Sequence, residues 1–185
     1  MNPLILDLIE QLKSNNEDSI ANAIVLFADV FLINNTNIAL ETQKQLLSEP
    51  YLSLRFTESQ QKDIVNAISE VLILNPTPNL MPIIWVLSKV TARIGLSAFL
   101  DILARLSNFS YLIVDRQDYF QIENTFSRYF YLLEDPEEGR FIRSTMESKS
   151  PVLFYRKLLE SQNPEIANSA EESLKFFREE FGLIN

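Results

Sequence analysis

Apolar residues recur along the chain at intervals of three and four positions, the spacing that places them on one face of an α-helix. Two regular series are Ile64, Ile68, Val71 and Leu72, and Leu96, Phe99, Leu100, Leu103 and Leu106. The strict alternation typical of a strand is absent from the sequence. The pattern therefore predicts an all-α fold with about ten helices, near residues 3–13, 17–33, 37–48, 58–74, 80–90, 95–107, 116–133, 137–147, 151–161 and 164–181.

Several helix starts are marked by a polar residue followed by proline. The polar side chain accepts a hydrogen bond at the N-cap, and proline suits the first turn because its missing N–H has no partner there. Four such pairs occur, Asn2-Pro3, Asp135-Pro136, Ser150-Pro151 and Asn163-Pro164. Further caps are predicted from Thr57 with Gln60, Asp135 with Glu138, and Asp115.

A chain of 185 residues is long enough for one domain with a sizeable core, so residues 1–185 are expected to form a single domain. Short linkers favour sequential helices that pack as antiparallel neighbours. Segment 75–79 contains Pro76 and Pro78, which disfavour helix in the residues before them, and it is the candidate sub-boundary. Gly182 is predicted to end the last helix.

A five-residue unit recurs early in long predicted helices. Residues 20–24 and 64–68 share Ile, Asn, Ala and Ile at equivalent positions, 44 residues apart. Weaker copies occur at 122–126 and 166–170. A fixed period of this length is typical of helical repeat proteins.

Near the C-terminus, two leucines are followed by a polar gap, a proline and spaced apolar residues. These positions are Leu158, Leu159, the run Asn163-Pro164-Glu165-Ile166, Ala170 and Leu174. Over residues 158–174 this arrangement resembles a HEAT repeat, and residues 8–24 are more loosely similar. The resemblance implies a short α-solenoid of the HEAT or armadillo type, built from stacked antiparallel hairpins, whose curved face usually binds another macromolecule. An irregular orthogonal helical bundle is the alternative fold.

The net charge of −9 opposes binding to phosphate backbones and to anionic membranes, so neither nucleic acid nor membrane is an expected partner. The most apolar stretch, residues 20–33, contains Asn22 and Asp29 and is shorter than the roughly 20 residues of a membrane-spanning helix. It predicts a buried central helix. The N-terminus has no basic region typical of a signal peptide, and cysteine is absent, so a cytoplasmic location is predicted.

The composition excludes most common catalytic and metal sites. Histidine and cysteine are absent, which removes histidine-dependent triads, histidine-ligated metals, zinc–thiolate sites and iron–sulfur clusters. The three scattered glycines do not form a phosphate-binding loop. The sequence therefore predicts no catalytic residue, no cofactor, no metal site and no enzymatic activity.

The remaining chemical candidates have ordinary structural interpretations. The acidic run at 134–139 lies at a predicted helix start, where carboxylates complement the helix dipole. Asp29 lies inside the most apolar helix and is a candidate buried acid with a raised pKa. Trp85, Asp101 and Arg105 invite comparison with DNA glycosylases built from HEAT-like repeats. Those proteins are typically basic, whereas this chain is acidic. Asp101 and Arg105 also have the i,i+4 spacing of an ordinary surface ion pair.

Aromatic residues are concentrated in the second half of the chain, where fifteen of the twenty lie after residue 98. On the predicted helix 116–133, Phe120 and Tyr131 lie off the core-facing series, beside Arg128. Phe176 is similarly off the apolar series of the last helix. Aromatic and arginine residues are typical of interface hot spots. These four residues are the predicted partner-binding residues, and packing against a flanking helix is the alternative.

Together these features predict a non-catalytic protein–protein interaction module that binds a macromolecular partner through a partly aromatic helical face. One alternative is an acidic inhibitor or immunity-type protein that neutralises a basic toxin or nuclease. Another is an enzyme with a carboxylate-only site. The identity of the partner and the oligomeric state are left open.

Overall fold

The computed structural model is helical over the residues that it describes, which are 2–74, 76–107 and 116–183; for 71–74 and 76–81 it describes the backbone alone. In this part of the chain the predicted all-α class is confirmed. The helices are α1 Pro3–Leu12, α2 Glu17–Asn35, α3 Leu40–Leu46, α4 Glu58–Leu74, α5 Pro76–Leu87, α6 Ala92–Leu106, α7 Arg116–Phe130, α8 Pro136–Ser148, α9 Val152–Leu158 and α10 Pro164–Phe181, with a 3₁₀ helix at Tyr51–Ser53.

The predicted N-caps form the expected hydrogen bonds. Asn2, Asp135 and Asn163 precede α1, α8 and α10, and each side chain accepts hydrogen bonds from backbone N–H groups of the first turn. Thr57 and Gln60 form a capping box, with N–H to side-chain distances of 2.9 and 3.3 Å. These bonds satisfy donors that have no acceptor within the helix.

The helix expected at 151–161 is shorter in the structure, because Pro151 occupies the N-cap position instead of the first turn and α9 ends at Leu158. Helix α9 begins at Val152, whose N–H donates to Ser150 Oγ at 3.3 Å. Gly182 follows α10 with a φ of 67°, in the left-handed region that glycine adopts readily. Asp115, a further predicted cap, lies outside the described residues.

Helix α5 begins earlier than the prolines predict. Helix α4 ends at Leu74, as predicted, but α5 begins at Pro76 instead of near residue 80, so most of the expected linker 75–79 is helical; residue 75 lies outside the described residues. Proline is tolerated in a first turn because the N–H groups there have no intrahelical acceptor. Pro76 and Pro78 therefore begin the helix instead of interrupting it, and Pro82 lies farther inside.

The chain divides into two compact units, Met1–Gly95 and Leu96–Asn185, here called the N-terminal and C-terminal units. The division falls within α6. The sequence places its candidate sub-boundary at 75–79, but that segment contains the start of α5, inside the N-terminal unit.

In the N-terminal unit, α1 packs on α2 and on α4, and α5 packs on α2 and on α4. The rings of Phe27, Phe31 and Phe56 form its aromatic core, with centroids 5.4 to 6.4 Å apart. Asn34, near the end of α2, holds the segment that precedes α4. Its side-chain amide donates to Leu54 O at 3.2 Å, and its side-chain carbonyl accepts from Phe56 N–H at 2.8 Å.

Helix α2 is buried along most of its length, as the most apolar stretch of the sequence predicts. Its buried residues are Ile20, Ala23, Ile24, Phe27, Ala28, Val30, Phe31 and Ile33. None of the described helices combines the length and the apolar character that crossing a membrane requires.

The recurring Ile-x-Asn units all lie in helices. Their isoleucines and the small residues one turn later are buried, at Ile20, Ala23, Ile64, Ala67, Ile122, Thr125, Ile166 and Ala170. The asparagines of the first, second and fourth copies are exposed. The unit thus places a buried isoleucine beside an outward polar residue.

In the C-terminal unit, α10 packs on α7, α8 and α9, and α7 also packs on α8. Its core is aromatic, with Phe99, Phe126, Tyr129, Tyr155 and Phe177 almost completely buried. The edge-to-face contact of Phe99 with Phe126, at 4.8 Å, joins α6 to α7. The helices of this unit therefore enclose a core of aromatic rings.

Candidate functional site: the groove between α7 and α10

A groove with a volume of about 640 Å³ lies between α7 and α10 of the C-terminal unit. The two helices run in the same direction, because contacts advance along both, from Arg116–Glu165 to Tyr119–Ser173 and then Phe130–Phe181. Residues one turn apart on each helix therefore face the groove. We call this feature the α7–α10 groove.

One end of the α7–α10 groove is apolar. Phe126 and Phe177 are buried in its floor, with ring centroids 5.3 Å apart. Phe130 joins them to Phe176, also at 5.3 Å. Phe176 is 39% exposed at this end, and Phe120, one turn before Glu123 on α7, is 57% exposed, so both rings remain available to another molecule. A series of ring contacts thus leads from the buried Phe126 and Phe177 through Phe130 to the partly exposed Phe176.

The other end is polar and contains the half-buried carboxyl of Glu123. The buried hydroxyl of Tyr155 donates to Glu123 Oε1 at 2.6 Å, and Ser173 Oγ donates to the same oxygen at 3.3 Å. Ser173 Oγ is also 2.9 Å from the Tyr119 hydroxyl. Side chains from α7, α9 and α10 therefore meet around one carboxyl group.

Burial dominates the protonation chemistry of this cluster. Removal of water raises the pKa of Glu123, and hydrogen bonds from Tyr155, Tyr119 and Ser173 oppose that rise. Burial also raises the pKa of both tyrosines, and the negative charge of Glu123 adds to the rise. The tyrosines consequently remain neutral hydroxyl groups at physiological pH.

The rim of the polar end carries charges of both signs. Arg116 forms an ion pair with Glu165 at 3.4 Å, and both side chains are largely exposed. Such a pair contributes little to stability because water screens it. Glu172 also lines the groove, and its charge is among the causes that raise the pKa of Tyr119.

The structure places two of the four predicted binding residues in one site. Phe120 and Phe176 line the α7–α10 groove, one from each helix. Arg128 lies on the exposed surface near the end of α7. Tyr131 follows α7 and is 83% exposed. Neither is among the residues that line the groove.

Sequence reasoning did not identify Glu123 as a site residue. It lies one turn after Tyr119 and one turn before Phe126, so it interrupts the aromatic side of α7. That position is the available signal for a buried acid. Its hydrogen-bond partners come from α9 and α10, and no spacing within α7 predicts them.

The other acidic candidates have structural partners. Burial raises the pKa of Asp29, and nearby Lys89 opposes the rise. Asp101 binds Lys149 Nζ at 2.6 Å, a more distant partner in sequence than the predicted Arg105. Asp135 caps α8. Among the described residues, no group of three acidic side chains is arranged to hold a metal ion.

Trp85 and Asp101, considered together in the comparison with DNA glycosylases, belong to the N-terminal and C-terminal units respectively. Lys89 Nζ lies 5.4 Å from the centre of the Trp85 ring. This contact lies within the N-terminal unit.

The chain matches no protein-family model, no curated protein and no solved structure. Any inference about function must therefore start from the geometry of the α7–α10 groove. Exposed aromatic rings beside a buried carboxyl are suited to holding an amphipathic group.

Proposed function

We propose that this chain is a non-catalytic protein-interaction module, and that it binds a segment of a partner protein in the α7–α10 groove. The observation that carries the proposal is a groove whose lining includes two exposed rings, Phe120 and Phe176, and two buried rings, Phe126 and Phe177. Aromatic groups in this setting provide much of the affinity of protein interfaces, because they bury a large apolar area with little loss of side-chain entropy.

The size of the groove fits the anchoring side chains of a peptide segment. Its volume of about 640 Å³ is within the range of sites that enclose a small ligand or a few side chains. Its two walls are parallel helices joined by an aromatic floor. An amphipathic segment laid along this floor would bury its apolar side chains against the phenylalanines.

Binding is favoured over the carboxylate-only enzyme because of how Glu123 is held. Its Oε1 accepts hydrogen bonds from Tyr155 and Ser173, which orient the carboxyl as an acceptor. The second carboxylate at the groove, Glu172, is on the exposed rim. The inhibitor variant of the proposal is supported by the net charge of −9 alone. A cytoplasmic location is part of the proposal and depends on the cysteine-free sequence.

The order of helix contacts supports a HEAT-like arrangement for the N-terminal unit. We propose that α1 with α2, and α4 with α5, are two hairpins that stack through α1 on α4 and α2 on α5. Helix α3 and the 3₁₀ helix would then belong to the connection between them. The 44-residue repeat relates α2 to α4, which are not equivalent in this order, so the support comes from the contacts.

The proposed function is tested by affinity capture from native extract with three baits: the unchanged chain, the double variant Phe120→Ala/Phe176→Ala, and Leu153→Ala. Leu153 is an equally exposed apolar residue on α9, outside the groove lining, and is the matched control. We expect proteins retained by the unchanged chain and by Leu153→Ala to be lost from the double variant. Circular dichroism establishes that all three baits are folded. Equal retention by the three baits would contradict the proposal.

A further inference from the structure

We infer that the polar end of the α7–α10 groove receives a basic side chain, lysine or arginine, of the bound protein segment, with its positive charge beside the Glu123 carboxylate. This inference rests on the proposed function, because it specifies the chemistry of the segment that the groove binds. Apolar neighbours of the basic residue would occupy the phenylalanine end.

The first support is the set of groups around Glu123. Its hydrogen-bond donors are neutral hydroxyls: those of Tyr155 and Ser173, which both donate to Oε1, and that of Tyr119. A carboxylate has acceptor positions on both oxygens. Lysine and arginine donate hydrogen bonds and carry positive charge, so either supplies a counter-charge that hydroxyl groups do not provide.

The second support is the distribution of charge along the groove. Two carboxylates, Glu123 and Glu172, line it, and the charge of each raises the pKa of Tyr119, so both act at the polar end. Arg116 is the basic residue of the lining, and it is in an ion pair with Glu165. The charges of the polar end therefore favour a cation from a partner over an anion.

The third support is the position of the aromatic rings. The carboxyl of Glu123 lies on the same groove surface as Phe120, Phe126 and Phe176. Lysine and arginine have long apolar stems that pack on such rings while the charged head reaches a polar group. A neutral apolar side chain would fill the same space but leave the buried carboxylate without a counter-charge.

Two small probes test this inference on the unchanged protein. Phenethylammonium and 2-phenylethanol share an aromatic ring and differ in charge. Their binding can be followed by nuclear magnetic resonance, through the shifts of the backbone amide signals of α7 and α10. We expect the ammonium to bind at least about tenfold more tightly, as a partly desolvated charge pair provides. Equal affinities, or signals that move outside the groove, would overturn the inference without need of any variant.

The variant arm uses Glu123→Gln, with Glu171→Gln as the control. Glu171 is exposed on α10 and is not part of the groove lining. The substitution Glu171→Gln therefore removes the same charge away from the groove. The preference for phenethylammonium over 2-phenylethanol should disappear in Glu123→Gln and persist in Glu171→Gln. A preference that survives in Glu123→Gln would overturn the assignment to this carboxylate.

Selection of peptides from a random displayed library separates this inference from the proposed function. We expect peptides whose binding requires Phe120 and Phe176 to be enriched in lysine or arginine on the unchanged chain, and to lose that enrichment on Glu123→Gln. Peptides that require both rings but show no basic enrichment would overturn the inference and leave the proposed function standing. If no selected peptide requires the rings, the proposed function itself fails.

Discussion

Gly139 lies where α8 approaches the end of the preceding turn. A Cβ atom at this position would be 2.4 Å from the carbonyl oxygen of Leu133 and 3.1 Å from its carbonyl carbon. Backbone atoms cannot move aside as the end of a flexible side chain can. Glycine is therefore required by the close packing at this point, although its φ is not positive.

We expect Gly139→Ala to lower the free energy of unfolding by about 2 kcal/mol, because the steric cost exceeds the gain in helix propensity. Ser144→Ala, at an exposed position of the same helix, is the control and should leave stability nearly unchanged. Urea unfolding of both variants measures the difference. A Gly139→Ala variant as stable as the unchanged chain would contradict the close approach.

Glu123 is the residue whose protonation should depend most clearly on the groove. Burial raises its folded-state pKa above the ordinary value of 4.5. A raised pKa means that the folded state binds the proton more tightly than the unfolded state, so the contribution to stability is present below pH 4.5 and is lost as pH rises through the folded-state pKa.

The unfolding free energy of the unchanged chain minus that of Glu123→Gln should therefore decrease as pH rises from 4.5 through the folded-state pKa of Glu123. Other carboxyl groups are common to both proteins and largely cancel in the difference. Urea unfolding across the window gives this difference directly. A constant difference, or one that increases with pH, would be inconsistent with the burial of this carboxyl.

The exposure of Phe120 and Phe176 was predictable because each departs from the apolar series of its own helix. Glu123 was harder to predict, since an acid on a helix is usually solvated and its partners Tyr155 and Ser173 are 32 and 50 residues away. Periodicity describes one helix at a time. It does not show which side chains of different helices meet.

At the scale of the helix, local hydrogen bonds explain most of the agreement between the predicted and observed boundaries. Asn163 accepts from the Glu165 N–H at 3.0 Å and begins α10, one wall of the groove. The side chain and the N–H it satisfies are two residues apart, so the sequence contains the whole interaction. The same holds for the capping box of Thr57 and Gln60.

We expect Asn163→Ala to lower the free energy of unfolding by about 1 kcal/mol, because an N–H of the first turn loses its acceptor. Asn168→Ala makes the same chemical change at an exposed interior position of α10, where alanine is the better helix former. It should be neutral or stabilising. Thermal unfolding compares the two variants, and equal losses would argue against a capping role for Asn163.

The start of α5 shows where local reasoning fails. Proline both ends helices and begins them, and the sequence of residues 75–79 is compatible with either outcome. In the structure these prolines begin a helix, and that helix, α5, packs on α2 and α4. Tertiary contacts, which the local pattern does not contain, thus distinguish two uses of the same residue.

At the scale of the whole molecule, the helical class follows from periodicity, but the division between Gly95 and Leu96 does not. The regular apolar series begins at Leu96, directly after Gly95, but α6 begins at Ala92 and runs across this point, so helix periodicity alone does not indicate a division there. The net charge of −9 likewise does not predict where acidic groups lie, because it is a property of the whole chain. The structure adds that two of the acidic groups, Glu123 and Glu172, line the same α7–α10 groove.

Whether a partner protein occupies the α7–α10 groove, as we propose, can be tested by site-specific photo-crosslinking. A photoreactive phenylalanine analogue is introduced in place of Phe120 in one variant and in place of Leu153 in the other, and both are irradiated in native extract. The account predicts a discrete crosslinked protein from position 120, absent from position 153 and suppressed in the presence of excess unchanged chain. Crosslinks of equal yield from both positions, or none from position 120, would contradict it.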